Sequence, residues 1–198
     1  MKSTFSTVAQ NITQELKIER SLFIGHTASA TDEEEAKEFI TRVRGEHSQA
    51  THNCYAYRLG QTAQPIEYYS DHGEPSGTAG RPILNAILQA DLTNTVVVVT
   101  RYFGGKKLGI RGLIDAYHST AALVLAAAGQ KVIIPSFRLS ITCEYNCLSQ
   151  INYLLEKFGG KIHSTEYGMN IKIQATLPEE CRTEAIPALS TLAKVCTE

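Results

Sequence analysis

The 198-residue chain has no surplus of charge, no Cys-x-x-Cys pair and no long apolar run. Nineteen Lys and Arg stand against twenty Asp and Glu, a formal net charge of -1, which excludes a nucleic-acid binder that works by overall basicity. Five cysteines, an odd number at spacings that suit neither zinc nor redox work, make neither a disulfide framework nor a zinc ribbon, so no metal or other cofactor is expected. The opening MKSTFSTVAQNITQELK lacks the apolar core of an export signal. The longest apolar stretch, AALVLAAAG, falls well short of the ~20 residues that a membrane span takes. The expectation is a cytoplasmic protein that does not enter a membrane.

What is present reads as two small cores. ELKIERSLFIGHTASA carries apolar positions at Leu16, Ile18, Leu22 and Ile24, a period of two that belongs in a sheet. TDEEEAKEFITRVRGEH reads as a helix opened by a capping box of Thr31 with Glu34, its inner face Ala36, Phe39, Ile40 and Val43. THNCYAYRL and PIEYYS predict a hairpin. Pro82 suits the first turn of the helix PILNAILQA, TVVVVT reads as a strand covered on both faces, and a helix from Arg111 to Ala128 stops at Gly129. KVIIPS reads as a linker, which sets a first domain at 1–135 and a second at 136–198. The second shows a β-α-β-β-α order of the ferredoxin type, with KVCTE barely long enough for the strand that would complete it. A module lacking its last strand, with an edge open or paired with another chain, is the expectation.

Two glycine-rich stretches carry the chemistry, SDHGEPSGTAGRP and TRYFGGKKLGIRG. Between Arg81 and Arg111 five basic residues face a single acid, Asp91, whereas residues 32–46 hold six acids and three bases. Gly104 and Gly105 follow a strand and Arg111 opens a helix, an arrangement whose free amides and dipole suit a phosphate. There is no Walker spacing and no G-x-G-x-x-G, so triphosphate hydrolysis has little support. A glycine turn with solvated lysines accounts for the spacing equally well. In the first stretch Asp71, His72, Glu74, Ser76 and Thr78 resemble parts of a catalytic set. Turn chemistry, with Gly73, Gly77 and Gly80 at positive φ, is nonetheless the better account, because triads are assembled from distant segments. His52 with Cys54 is half a metal site without a second pair, and so reads as a buried thiol beside a bonded imidazole. Asp115 with His118 reads as a surface pair.

SDHGEPSGTAGRPIL and VTRYFGGKKLGIRGL, preceded by EHSQATHNCYAYRLG, resemble the signature stretches of the YigZ/IMPACT family, in order and over nearly the whole chain. The resemblance implies an α+β protein. Its first domain would have the ribosomal protein S5 domain 2-like topology, three helices on one face of a four-stranded sheet, followed by a ferredoxin-like (βαββα) domain. It also implies a link to translation, since the eukaryotic relative restrains a starvation-responsive translational kinase.

The leading expectation is a non-enzymatic, translation-linked protein that binds RNA or the ribosome. The phosphate-contacting set is Arg81, Arg101, Gly104, Gly105, Lys106, Lys107, Arg111 and His72, with Asp71, Gly73, Glu74, Gly77 and Gly80 shaping the loop. Tyr102 or Phe103 stands ready to stack on a base, or else belongs to the core. The alternatives are an enzyme acting on a small phosphorylated substrate, and a protein-interaction module that regulates a translational kinase pathway through the open edge of the second domain. No catalytic residue is assigned.

Overall fold

The computed structural model describes residues 4–60 and 64–197. Its contacts separate two compact units, Phe5–Ile133 and a second from Ile134 onward.

The first unit is built on a five-stranded antiparallel sheet in the order β2-β3-β6-β4-β5, from β2 (Ile12–Ile18), β3 (Ser21–Ser29), β4 (His52–Leu59), β5 (Ile66–Ser70) and β6 (Thr95–Tyr102). ELKIERSLFIGHTASA is therefore not one strand but a hairpin. Glu19 (φ 47) and Arg20 (φ 73) form its two-residue turn, both at the positive φ that a type I′ turn takes. The expected β4–β5 hairpin is present, although 61–63 of its bend lie outside the described residues.

Central β6 explains the valine run. Val96 and Val98 pack with Ala36, Ile40 and Val43 of α1 (Glu33–Glu46), whereas Val97 and Val99 pack with α2 (Gly80–Gln89) and α3 (Gly109–Ala128). All four are fully buried, a gain on the order of 1.5–3 kcal/mol each. The helices thus lie on both faces of the sheet, a correction to the arrangement of three helices on one face of four strands. The α1 cap also sits one residue later than expected. Asp32 accepts from the Glu35 N–H (2.9 Å), and the Glu35 carboxylate turns back to the Thr31 N–H (2.7 Å).

Part of the stretch read as linker is a strand. β7 (Gln130–Ile133) pairs antiparallel with β1 (Phe5–Val8).

The second unit runs β8 (Ser136–Cys143), α4 (Leu148–Lys157), β9 (Lys161–Tyr167), β10 (Ile171–Pro178), α5 (Arg182–Ser190) and β11 (Lys194–Thr197), with sheet order β11-β8-β10-β9. The expectation of a missing last strand is corrected. Lys194 to Thr197 pair with Thr142 to Leu139, so the β8 edge is covered from within the chain. Four residues suffice because Ala193 and Val195 add apolar contact to the core beside α5. Pro187 sits inside α5 without ending it.

His26 of β3 is a buried histidine on the α1 side of the first unit's sheet. It is 6% exposed, bonded through Nδ1 to Thr13 Oγ1 (3.1 Å), and its ring lies 4.9 Å from that of His47. Burial, then the neighbouring His47 and Arg42, lowers its pKa from 6.5 to about 4.

Two outcomes follow from this fold. The unfolded chain takes up a proton near pH 6.5 that folded His26 refuses until about 4, so stability falls as pH drops through that window and is unaffected above it. The loss is about 3 kcal/mol at most. Urea midpoints measured against pH should fall less steeply on acidification for His26→Asn than for the native chain, and parallel curves would refute the assignment. Removing Lys194 to Thr197 should strip hydrogen-exchange protection from those β8 amides that face β11 while those facing β10 keep theirs; equal protection on both sides after truncation would contradict the pairing.

Candidate functional site

β5 and β6 both run antiparallel to β4, hence parallel to each other, and each leads into a helix on the same face of the sheet. The loop 71–79 and the loop 103–108 therefore meet at one end of the sheet. The start of β4, the β2–β3 turn, the end of α1 and the beginnings of α2 and α3 share that end.

Asp71 shapes the first loop. One carboxylate oxygen accepts from the Gly77 N–H (2.8 Å) and the other from Ala79 (3.0 Å) and Gly80 (2.9 Å), the first amides of α2. Gly73 (φ 88) and Gly77 (φ 75) take positive φ as expected. Gly80 does not; a Cβ there would stand 2.7 Å from the Ser70 backbone, so the requirement is close approach.

Glu74, next in this loop, points inward. Its Oε1 accepts from Arg101 Nη1 (2.6 Å) and from the Tyr117 hydroxyl (2.9 Å), with His52 Nε2 3.8 Å away. Its side chain is 4% exposed and that of Arg101 6%, so this is a buried ion pair. Phe23 and Phe103 flank the guanidinium at 5.4 Å and 5.3 Å. Burial first, then Cys54 and Glu74, raises the Tyr117 pKa and keeps the phenol protonated as donor. Burial likewise pushes the Cys54 thiol up to about 12, and its Sγ–H donates to the Asp71 carbonyl (2.8 Å), so it is an unreactive packing group.

The second loop is held by Gly104, where a Cβ would meet the Arg20 carbonyl oxygen at 1.8 Å and glycine alone fits. Its N–H donates to Ser21 Oγ (3.3 Å).

His52 Nδ1–H donates to the His72 carbonyl (3.0 Å), which fixes its tautomer. The His72 ring faces the Asn53 N–H at Nδ1 (3.1 Å) and the Arg44 guanidinium at Nε2 (2.6 Å), and the neutral imidazole accepts from one of the two, according to its tautomer. Burial, then Arg44 and His52, depresses its pKa. His72 itself sits at φ 40.

The predicted basic set divides. Arg101 is 5% exposed and committed to Glu74, which corrects its assignment to an exposed phosphate contact. Lys106 pairs with Glu19 (2.7 Å) and Arg111 with Asp115 (3.3 Å), both exposed. Arg81 and Lys107 are exposed, and neither has a carboxylate partner among the described residues. Phe103 is 45% exposed; Tyr102 is half-buried with its hydroxyl on His47 Nδ1 (3.0 Å). The expected Asp115–His118 pair does not form, since His118 turns to Gln89. The sequence reading missed Tyr117, Ser21, Arg20 and Arg44. Only Arg101, a charge closing an apolar strand, signalled that a buried partner was needed. Among the described residues no His, Cys, Asp and Glu cluster could hold a metal ion, and no helix is long and apolar enough to cross a membrane.

The Impact N-terminal domain model matches residues 19–125, the segment that carries both loops. The chain belongs to the IMPACT family. A domain of unknown function, DUF1949, matches residues 141–192. The IMPACT family member YvyE of Bacillus subtilis is 37% identical, covering 93% of this chain and 84% of that protein. A crystal structure of a hypothetical protein is 30% identical with TM-score 0.71 and covers 98% of this chain and 97% of its own. The IMPACT homolog of Saccharomyces cerevisiae is 30% identical, over 45% of this chain and 35% of that protein.

Within this family fold, Glu74→Ala should cost about 3–5 kcal/mol, because it leaves the Arg101 charge buried without a partner. The double change Glu74→Leu with Arg101→Met, which removes both charges, should cost less. Equilibrium urea unfolding measures both, and a single-variant loss below about 1 kcal/mol would contradict a buried ion pair.

Proposed function

We propose that the protein is a translation-linked regulator whose first unit holds structured RNA, on or near the ribosome, by the basic surface that the two glycine loops present. The observation that carries this reading is the separation of charge within the loops. Asp71 and Glu74 are consumed internally, by three backbone amides and by Arg101. Arg20, Arg81 and Lys107 are exposed at this end of the sheet without a carboxylate partner among the described residues, and Glu46 at the end of α1 is the exposed acid there that joins no ion pair.

Lys106 and Arg111 join them at little cost. Surface pairs such as theirs are worth about 0–1 kcal/mol, so a phosphate can replace Glu19 or Asp115. Exposed Phe103, braced by Arg101, offers a face for an unpaired base. In this reading Arg101, Gly104 and Gly105 position the loops, and His72 with Arg44 closes their rim. Membership of the IMPACT family, with the link to translation that the resemblance implies, supports the regulatory part. Cys54, protonated and facing a carbonyl, lends nothing to a covalent mechanism.

Purified ribosomal subunits titrated at several salt concentrations test the proposal. Each phosphate contact contributes about 0.7–0.9 to the slope of log K against log salt, and Lys106→Ala with Lys107→Ala should flatten that slope by one to two such steps. A slope unchanged by the double variant rejects the placement.

A further inference from the structure

A cleft of about 390 Å3 opens between the β2–β3 hairpin and α1, on the sheet face opposite α2 and α3. That is the size of a small-molecule site. Its walls combine apolar side chains, Ile12, Phe39 and Val43, with two opposite charges one helical turn apart, Arg42 and Glu46.

Residues spaced like these two are neighbours on a helix surface and commonly pair. Here they do not. Lys37–Glu33 is the ion pair of α1 among the described residues, and neither Arg42 nor Glu46 joins any other. Beside them lies His26, which is 94% buried by its 6% exposure; Thr13 Oγ1 meets its Nδ1, and its Nε2 has no hydrogen-bond partner. A buried polar atom left so costs about 1–3 kcal/mol.

We propose that this cleft binds a free α-amino acid with an apolar side chain. The carboxylate meets Arg42, the ammonium meets Glu46, and the side chain lies against Ile12, Phe39 and Val43. A ligand with only an anionic group would satisfy Arg42 and be repelled by Glu46; one with only a cationic group would do the reverse. A neutral apolar ligand would bury both charges unpaired. With the Thr13 hydroxyl donating to Nδ1, His26 Nε2 carries its proton and stands in the cleft wall as an unpartnered donor just beneath the accessible surface. His26 held neutral adds no charge that would repel the ammonium. The site shares no residue with the basic loops and does not rest on their role.

Isothermal titration of the full chain with L-leucine, L-isoleucine and L-phenylalanine tests this, with 4-methylpentanoate and isopentylamine as analogues that each lack one charge. At least one of the amino acids should bind saturably at millimolar concentration or below. Arg42→Ala and Glu46→Ala, both at exposed positions, should each weaken it about tenfold or more, and each analogue should bind correspondingly less well than L-leucine. The ring nitrogen resonances of His26 should shift on binding, and Lys106→Ala with Lys107→Ala should leave the affinity unchanged. Absence of binding by all three amino acids, indifference to Arg42→Ala and Glu46→Ala, or 4-methylpentanoate binding as well as leucine would each overturn the proposal.

Discussion

Glu74 and Arg101 meet where neither charge could be left alone, and the end of the sheet that carries both glycine loops is arranged around their contact. Stripping water from the two groups costs several kcal/mol each, which their attraction offsets only when further hydrogen bonds complete the geometry. Tyr117 supplies one such bond to Glu74, and Phe23 and Phe103 lie over the guanidinium. Arg101 Nε still lacks a partner, so the pair is better regarded as a device that fixes position than as a net source of stability. It ties the loop after β5 to the last residues of β6, two segments that the chain separates by α2.

The loops differ in how they are held, and the difference decides what they can show to solvent. The first is fastened by its own acids, Asp71 on the amides that open α2 and Glu74 on Arg101. The second is fastened by the absence of a side chain, since Gly104 lies against the Arg20 backbone where a Cβ would overlap it. Neither fastening uses a lysine. The cations of the second loop are therefore left outside while the acids of the first are taken inside, and a protein of net charge -1 acquires a local basic surface without any surplus in composition.

Much of this was legible in the sequence where pattern and chemistry agree. The valine run announced a strand covered twice, the β4–β5 hairpin followed from its aromatic runs, and the glycine stretches were seen to belong together. What escaped was set by partners. Glu19-Arg20 carries none of the Asn-Gly chemistry of a two-residue turn, so Leu16 to Ile24 looked like one strand; the pairing of β2 with β3 forces positive φ on ordinary residues. β7 was hidden by Pro135, which marked a break two residues past Ile133 and drew the end of that strand into the linker, although Gln130 to Ile133 pair with β1. β11 is four residues long and makes sense only beside β8. Arg101 was read by its sign, yet its partner lies 27 residues away in a loop whose direction no spacing gives.

The period of the sheet finally separates the two polar systems of the first unit. On β6, Arg101 falls in step with Val97 and Val99 and so faces Tyr117 and α3, while Thr100 and Tyr102 fall in step with Val96 and Val98 and face the side of α1. β4 repeats the division, with His52 and Cys54 toward the glycine loop and Asn53 toward Thr100. His26 follows the α1 side, which is why it meets His47 and lines the cleft. Each system is therefore closed off from the other by one thickness of β-sheet, although Arg101 and Tyr102 are adjacent in the chain. A slip of one residue in the pairing of β6 would exchange them, placing the guanidinium beneath α1 without Glu74 and leaving Glu74 buried without a cation. The ion pair and the register consequently enforce each other: the valines alone would tolerate either face, and it is the single buried charge at the strand's end that makes one alignment acceptable.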